Sequence, residues 1–477
     1  MVALTDRPPS PPPRAAISAW RPDAVTVLTV LVGSAFVIPA RYTFPALGGA
    51  GRLDIMLGVA MLAWWIISRS IPSLANRDGQ PMRWVLLVLI CSIFVSAALA
   101  YQRGLTSIEF NGMDRSLIGW LGAAGILLVA IDGIRSVERA DVLLKRIVAL
   151  GLFVAIVADI QFFLGYDLTY QLQPPGFRPN LDLLSVELRS VVSRVYGTSL
   201  HPIEFGVLMS VIGALSTHYA IIATSRAERQ WRWICTALLV GSGLLSVSRS
   251  AVVAMAIILL GFLFAWRPRM WFNGLVAAVA GLVGMRVVAP GLLGTLRALF
   301  EYIGVDPSIS GRTNDYAEVF ALVDDSFWFG RGPGTFNVEE YFVLDNQWLG
   351  QLVSTGFVVT FALAALFAVA ISQAHHLSRR APTDNQRHLA HTLMIVLIVF
   401  VVASLFFDSL AYPQIRAFTL VVMGTIGGLW SINGSGEPIM WSGGRRVVRS
   451  SRSMMGRSGR PDGGRIIELA SPRPDGD

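Results

Sequence analysis

The sequence predicts an all-α fold, a polytopic membrane helical bundle of about twelve transmembrane helices. Three observations predict it. Of the 477 residues 53% are hydrophobic and only 15% are charged, whereas water-soluble domains carry about 25% charged residues. The apolar residues fall in long runs parted by short polar stretches, and mean hydropathy is +0.57. The basic residues gather in alternate connections, the asymmetry of a chain that crosses a membrane repeatedly. A net charge of +8 is therefore no nucleic-acid signal: eight arginines lie between Arg445 and Arg473, and many others sit in short loops. No nucleic-acid partner is expected.

The elements follow in order. Residues 1–23 contain Asp6-Arg-Pro-Pro-Ser-Pro-Pro-Pro-Arg14, too proline-rich for a helix and without signal-peptide order, so a disordered cytoplasmic N-terminus is expected. The transmembrane domain is expected over 24–432, with spans near 24–44, 53–71, 84–101, 116–131, 142–165, 200–222, 233–247, 250–266, 272–289, 348–372, 390–409 and 413–432. Residues 433–477 are rich in Gly, Ser, Arg and Pro, and are expected to be a disordered basic cytoplasmic tail, either simply solvated or drawn by charge to anionic lipid headgroups.

An N-terminus inside gives inward loops holding Arg69, Arg77 and Arg83; Arg135, Arg139, Lys145 and Arg146; Arg226, Arg229 and Arg232; Arg267 and Arg269; and Arg379, Arg380 and Arg387. An even number of spans returns the basic tail to the same side. A multi-pass membrane protein with both termini cytoplasmic is the expectation. Cys91 and Cys235 each lie within an apolar run and suggest neither a disulfide framework nor a metal site.

Two outward connections are long. The first, near 166–199, contains Gln173-Pro-Pro-Gly176 and ends in Arg194-Val-Tyr196-Gly197-Thr198-Ser-Leu-His201-Pro202-Ile-Glu204. The second, near 290–347, is the large extracytoplasmic loop before the tenth helix. Within it Ser310-Gly311-Arg312 opens a helix-like stretch whose Tyr316, Val319, Phe320 and Val323 share one face. Then come Gly330-Arg331-Gly332-Pro333-Gly334, a tight turn whose amides could cradle an anion or merely close a loop. The loop ends at Asp345-Asn346-Gln347. There Asp345 either caps the tenth helix or is held for chemistry.

Arg249 carries the most information. It sits in Ser246-Val-Ser-Arg249-Ser between two apolar runs that leave almost no loop. An arginine drawn towards the centre of a bilayer costs about 2.5–3.5 kcal/mol. A guanidinium at that depth points to an anionic partner, and membrane-facing phosphates are the obvious one. Arg194, Arg249, Arg312 and Asp345 all map to one face of the membrane.

His201 and Glu204 open the sixth span on one helical side. Two groups are too few for a metal, so they are either acceptor-binding or structural. Asp408 and Arg416 are expected to pair across the turn at Tyr412-Pro413. His375, His376, His388 and His391 fall in or near an inward loop and are expected to be solvated or interfacial.

The ordered set Arg194-x-x-Gly-Thr-x-x-His201-Pro, Ser-Arg249-Ser, Gly-Arg312, Gly330-x-Gly332-x-Gly334 and Asp345-Asn346 resembles the bacterial O-antigen ligase and O-antigen polymerase superfamily. Pro39-Ala-Arg41-Tyr and Arg52-Leu-Asp54 look like its actinobacterial members. The resemblance spans roughly residues 25–432. It implies a GT-C-like bundle and an undecaprenyl-pyrophosphate-linked glycan donor, with a glycan, lipid or protein acceptor. It also implies metal-independent inverting transfer without a cofactor, and contact with membrane lipids and with other polysaccharide assembly and export proteins. Arg194, Arg249 and Arg312 would hold the pyrophosphate, Arg312 also serving catalysis, and Asp345 and Asn346 would face the acceptor.

The chain departs from this pattern at one place. Where such ligases show His-Asn, nine residues and Gly-x-x-Gly, this chain has Asp345-Asn346 and then Gly356-Phe-Val-Val359. That favours a polymerase, or a transferase to an acceptor other than lipid A. Two other readings fit a multi-span chain: a transporter or flippase of glycans or small anions, and oligosaccharide transfer to protein. No internal repeat of the transporter kind is visible.

Overall fold

The computed structural model describes residues 23–71, 79–180, 194–265 and 318–434, with single positions at 272, 274, 279, 281, 283, 286 and 316. Among the described residues, eleven α-helices succeed one another. They are α1 Ala24–Val37, α2 Leu53–Ser70, α3 Pro81–Gln102, α4 Ser107–Gly133, α5 Val137–Leu164, α6 Pro202–Ile222, α7 Arg226–Leu245, α8 Arg249–Ala265, α9 Gln347–Arg380, α10 Asp384–Ala403 and α11 Pro413–Gly434. Eight of these are long and apolar enough to cross a membrane, and α1 and α8 are shorter apolar helices. This is an all-α polytopic membrane protein. Helix α7 is not among the eight, because Arg226, Glu228, Arg229 and Arg232 fill its first turns. The span expected near 272–289 falls mostly outside the described residues, and the helix start at Arg312 lies outside them.

Polar caps set most helix starts, so several helices run beyond the apolar runs that announce them. The expected span 116–131 begins at Ser107 because Thr106 and Glu109 close a capping box. Thr383 caps Gln386 and starts α10 at Asp384, ahead of the apolar run. Helix α1 stops at Val37, short of the expected 44, where Pro39 follows and the chain turns extended. Tyr42–Thr43 then pairs antiparallel with Arg178–Pro179, a two-residue ladder.

Helix α6 is buried around nearly its whole circumference, so it runs through the centre of the bundle. Helices α2 and α4 approach so closely that a Cβ on Gly58 would lie 2.5 Å from the Gly122 carbonyl oxygen. Glycines permit this contact, and dispersion between backbones replaces the hydrophobic drive that lipid does not supply.

Of the expected amphipathic stretch, residues 318–325 are helical, but its apolar face divides. Val319 and Val323 are buried against Val353, while Tyr316 and Phe320 are exposed. A spacing of four keeps each pair in its own row.

Two of the histidines expected to be solvated or interfacial are half-buried against other helices. His388 Nδ1 lies 2.8 Å from Nδ1 of His218 on α6. His391 Nε2 bonds to the Gly261 carbonyl at 3.0 Å. Helix α10 starts earlier than its apolar run, so its first two turns pack on α6 and α8 rather than lying in a loop.

Candidate active site

One end of the bundle gathers the starts of α2, α4, α6, α8, α9 and α11. Glu204 on α6 is fully buried. It accepts from the amides of Gln414 at 2.9 Å and Ile415 at 3.4 Å, and from Leu200 at 2.7 Å. A carboxylate from α6 thus caps α11, where free amides and the helix dipole both favour negative charge. Ser199 donates to Gln414 Oε1 beside it at 2.5 Å. Of the two readings open to Glu204, this geometry is the structural one.

His201 caps its own helix, its Nδ1 accepting from the Ile203 amide at 3.1 Å. A ring nitrogen that accepts has no proton, so the neutral ring carries its proton on Nε2. Burial and the nearby Arg194 guanidinium push the His201 ring below its usual value, and the Asp345 carboxylate opposes them. Those fields bring Arg194, His201 and Asp345 into one neighbourhood, although 143 residues separate Asp345 from Pro202, where α6 begins (345 − 202).

The α7–α8 elbow meets the same region. A Cβ on Gly206 would lie 2.3 Å from Ser246 Oγ and 2.7 Å from Ala251 Cβ. Arg249, half-buried, is the first residue of α8 and sits between those two contacts in sequence. Val247 in this elbow has φ of +50°. A β-branched residue there costs about 1–3 kcal/mol, which only a strongly determined turn sustains.

Asp345 does not cap α9. Asn346 does, its Oδ1 accepting from Trp348 at 3.0 Å and Leu349 at 3.1 Å. The cap leaves Asp345, half-buried, outside the helix. Gln347 anchors the 404–412 turn: its amide donates to Ser404 O at 2.9 Å and its Oε1 accepts from Leu410 at 2.8 Å.

Asp408 and Arg416 do not pair. Arg416 makes its salt bridge with Asp54 on α2, which Arg52 also holds at 3.2 Å. Arg52 donates in addition to the Ala411 carbonyl at 2.9 Å. The Asp54 side chain is only 2% exposed, so two guanidinium groups offset the cost of burying it. Asp408 is open to solvent on one side, yet crowding by protein raises its carboxyl to about 6, with Asp345 adding to the rise and Arg416 opposing it. Burial likewise raises the Tyr412 phenol, reinforced by Glu204, Asp345 and Asp408.

The glycine-rich turn packs on a break in α9. Gly356 breaks α9 with φ of +75° and ψ of −177°, a conformation open essentially to glycine alone. The break frees helix carbonyls, and the turn fills them. Arg331 N donates to Val353 O at 3.1 Å and Gly332 N to Ser354 O at 2.7 Å. In return Phe327 O and Trp328 O accept from Phe357 and Val358. The Arg331 and Gly332 amides are thus committed to α9 and are not available to a phosphate.

The structure therefore brings Arg194, His201, Glu204, Asp345 and Asn346 to one end of the bundle and sets Arg249 at the adjoining elbow. Arg312 lies outside the described residues. Sequence reasoning gave no part in the site to Arg52, Asp54, Asp408, Tyr412 or Arg416, beyond expecting Asp408 to pair with Arg416. The available signal was that Asp54 and Arg416 are charges placed at the starts of apolar runs.

A search of curated proteins finds no match to the chain. A family model does match it, the one described as O-antigen ligase, over residues 234–364, a stretch from α7 into α9 that takes in Arg249, Arg312, the glycine-rich turn, Asp345 and Asn346. That stretch is what the chain shares with the O-antigen ligase family model.

Proposed function

We propose that this protein polymerises or ligates cell-surface polysaccharide, transferring a glycan from an undecaprenyl-pyrophosphate-type carrier to an acceptor hydroxyl. The supporting observation is that the O-antigen ligase match includes Arg249, Asp345 and Asn346. Two of these open a helix or cap one at the polar end of the bundle.

The chemistry suits that end. The carrier's lipid tail stays in the bilayer, so its pyrophosphate rides at the membrane boundary, where helix starts lie. The acceptor oxygen attacks C1 of the donor sugar from the face opposite the leaving group, and configuration inverts. As the C1–oxygen bond breaks, its electron pair leaves on the pyrophosphate. Arg194, Arg249 and Arg312 would receive that growing charge through bidentate guanidinium contacts. Asp345 and Asn346 would face the acceptor. His201, neutral with its proton on Nε2, would donate a hydrogen bond rather than act as base. The site would lie on the extracytoplasmic face, with residues 1–23 and 433–477 inside.

Glycan analysis of cells lacking the protein tests the reading. Loss of long polysaccharide with accumulation of single lipid-linked repeats, rescued by the wild type, is the result for a polymerase. Intact polymer missing its attachment product is the result for a ligase, or for transfer to protein where the acceptor is a protein. Unchanged glycans would reject glycan transfer and leave a transporter of small anions.

A further inference from the structure

We propose that Asp345 and Asp408 act as one carboxyl pair that binds the acceptor hydroxyl, with Asp408 receiving its proton; this rests on the glycan-transfer reading above. The turn that carries Asp408 is pinned to the residues just after Asp345. Ser404, four residues before Asp408, accepts from the Gln347 amide at 2.9 Å, and Leu410, two residues after it, donates to Gln347 Oε1 at 2.8 Å. Ser404 and Ser409 hydroxyls bond at 2.6 Å and close the turn on itself. Trp348 Nε1 donates to Val401 O at 3.1 Å and fixes its base. Two stretches more than fifty residues apart are thereby locked together, an aspartate on each.

The Asp408 side chain makes no hydrogen bond or salt bridge among the described residues, and Arg416, its natural partner, is committed to Asp54. An acidic side chain held in place, open to solvent and left without a bonded cation is suited to taking a proton. The charges acting on it are Asp345 from the start of α9 and Arg416 from α11. Its neighbour Tyr412 feels Asp345, Asp408 and Glu204 together. Crowding by protein, with repulsion from Asp345 adding to it, holds the Asp408 carboxyl at about 6, nearer the working pH than the value of about 4 for a solvated aspartate. A base poised there transfers protons more effectively. The pair would thus supply what a histidine offers at the position of Asp345 in ligases that this chain resembles.

The step balances. The acceptor O–H gives its proton to the Asp408 carboxylate and its oxygen electron pair to C1 of the donor sugar. The C1–oxygen bond to pyrophosphate breaks, its pair leaves on the lipid pyrophosphate, and Asp408 then returns the proton to water.

The test uses the full chain in liposomes with a lipid-pyrophosphate-linked saccharide as donor. It measures kcat/KM against pH, donor binding and melting temperature. The wild type should lose activity as pH falls through about 6. Asp408→Asn should lose about 10²–10⁴-fold in kcat/KM while still binding donor, and Asp408→Glu should recover part of it. Asp345→Asn removes the like charge, so the acid limb of its remaining activity should move to lower pH. Asp408→Asn with near wild-type kcat/KM and an unmoved acid limb would overturn the pair. So would a loss that follows melting temperature or donor binding and that Asp408→Glu does not recover. A wild type that binds donor but transfers nothing would instead sink the transfer reading itself.

Discussion

Glu204 of α6 accepts the amide hydrogen of Gln414 on α11 at 2.9 Å, so one buried carboxylate joins the starts of two helices that lie more than two hundred residues apart. Glu204→Ala strands the Leu200 and Gln414 amides in a dry site. Each unsatisfied buried donor costs about 1–3 kcal/mol. We expect Glu204→Ala to melt well below the wild type in detergent, and Glu204→Gln, which keeps an acceptor oxygen, to fall between them. Equal melting temperatures for all three proteins would refute the joint.

Gly356 and Gly330 meet where α9 breaks. A Cβ on Gly356 would lie 2.4 Å from the Phe329 nitrogen, and its φ and ψ cost a side-chain-bearing residue about 1–3 kcal/mol before any clash. Gly356→Ala should therefore detach the 327–332 turn from α9. Limited proteolysis in that turn should become much faster than in the wild type. Resistance equal to the wild type's would show that the break tolerates a side chain.

The His201 ring is held below its usual value near 6.5 by burial and by Arg194. As pH falls below 6.5 the unfolded chain takes up a proton that the folded ring resists, so folding loses stability on the acid side. Asp408, whose carboxyl is raised, contributes with the opposite sign over the pH range below about 6, so the comparison must be a difference. His201→Asn retains a capping side chain without titrating. The stability of wild type minus variant should decline from about pH 7 to about pH 5.5, a range that spans the free-histidine pKa. A flat difference would contradict the neutral, capping ring.

Arg249→Lys keeps the charge at the α7–α8 elbow and loses the planar fork. If Arg249 grips pyrophosphate through two parallel bonds, an ammonium cannot replace it. Most transfer activity should disappear at normal membrane abundance, a fall of roughly ten- to a hundredfold for about 1.5–3 kcal/mol of charge-assisted bonding. Wild-type transfer in this variant would remove Arg249 from the mechanism.

The sequence by itself determined the class of fold and the placement of most helices, because long apolar runs leave a chain in lipid little choice but helix. It also marked Arg194, Arg249, His201, Glu204, Asp345 and Asn346 as polar groups at the ends of those runs. Partner choice could not be read there. Asp408 and Arg416 lie eight residues apart and invite a pair, yet Arg416 reaches Asp54 on α2, a residue over 350 positions away. Asp345 stands where a cap belongs, yet the extended backbone of Asn346 puts the cap one residue later. The glycine-rich turn reads as an anion cradle until the broken helix that consumes its amides is in view. Hydropathy is a property of each segment and survives in one dimension. Which buried polar group satisfies which depends on helices from distant parts of the chain meeting at one end, and only the tertiary structure decides that.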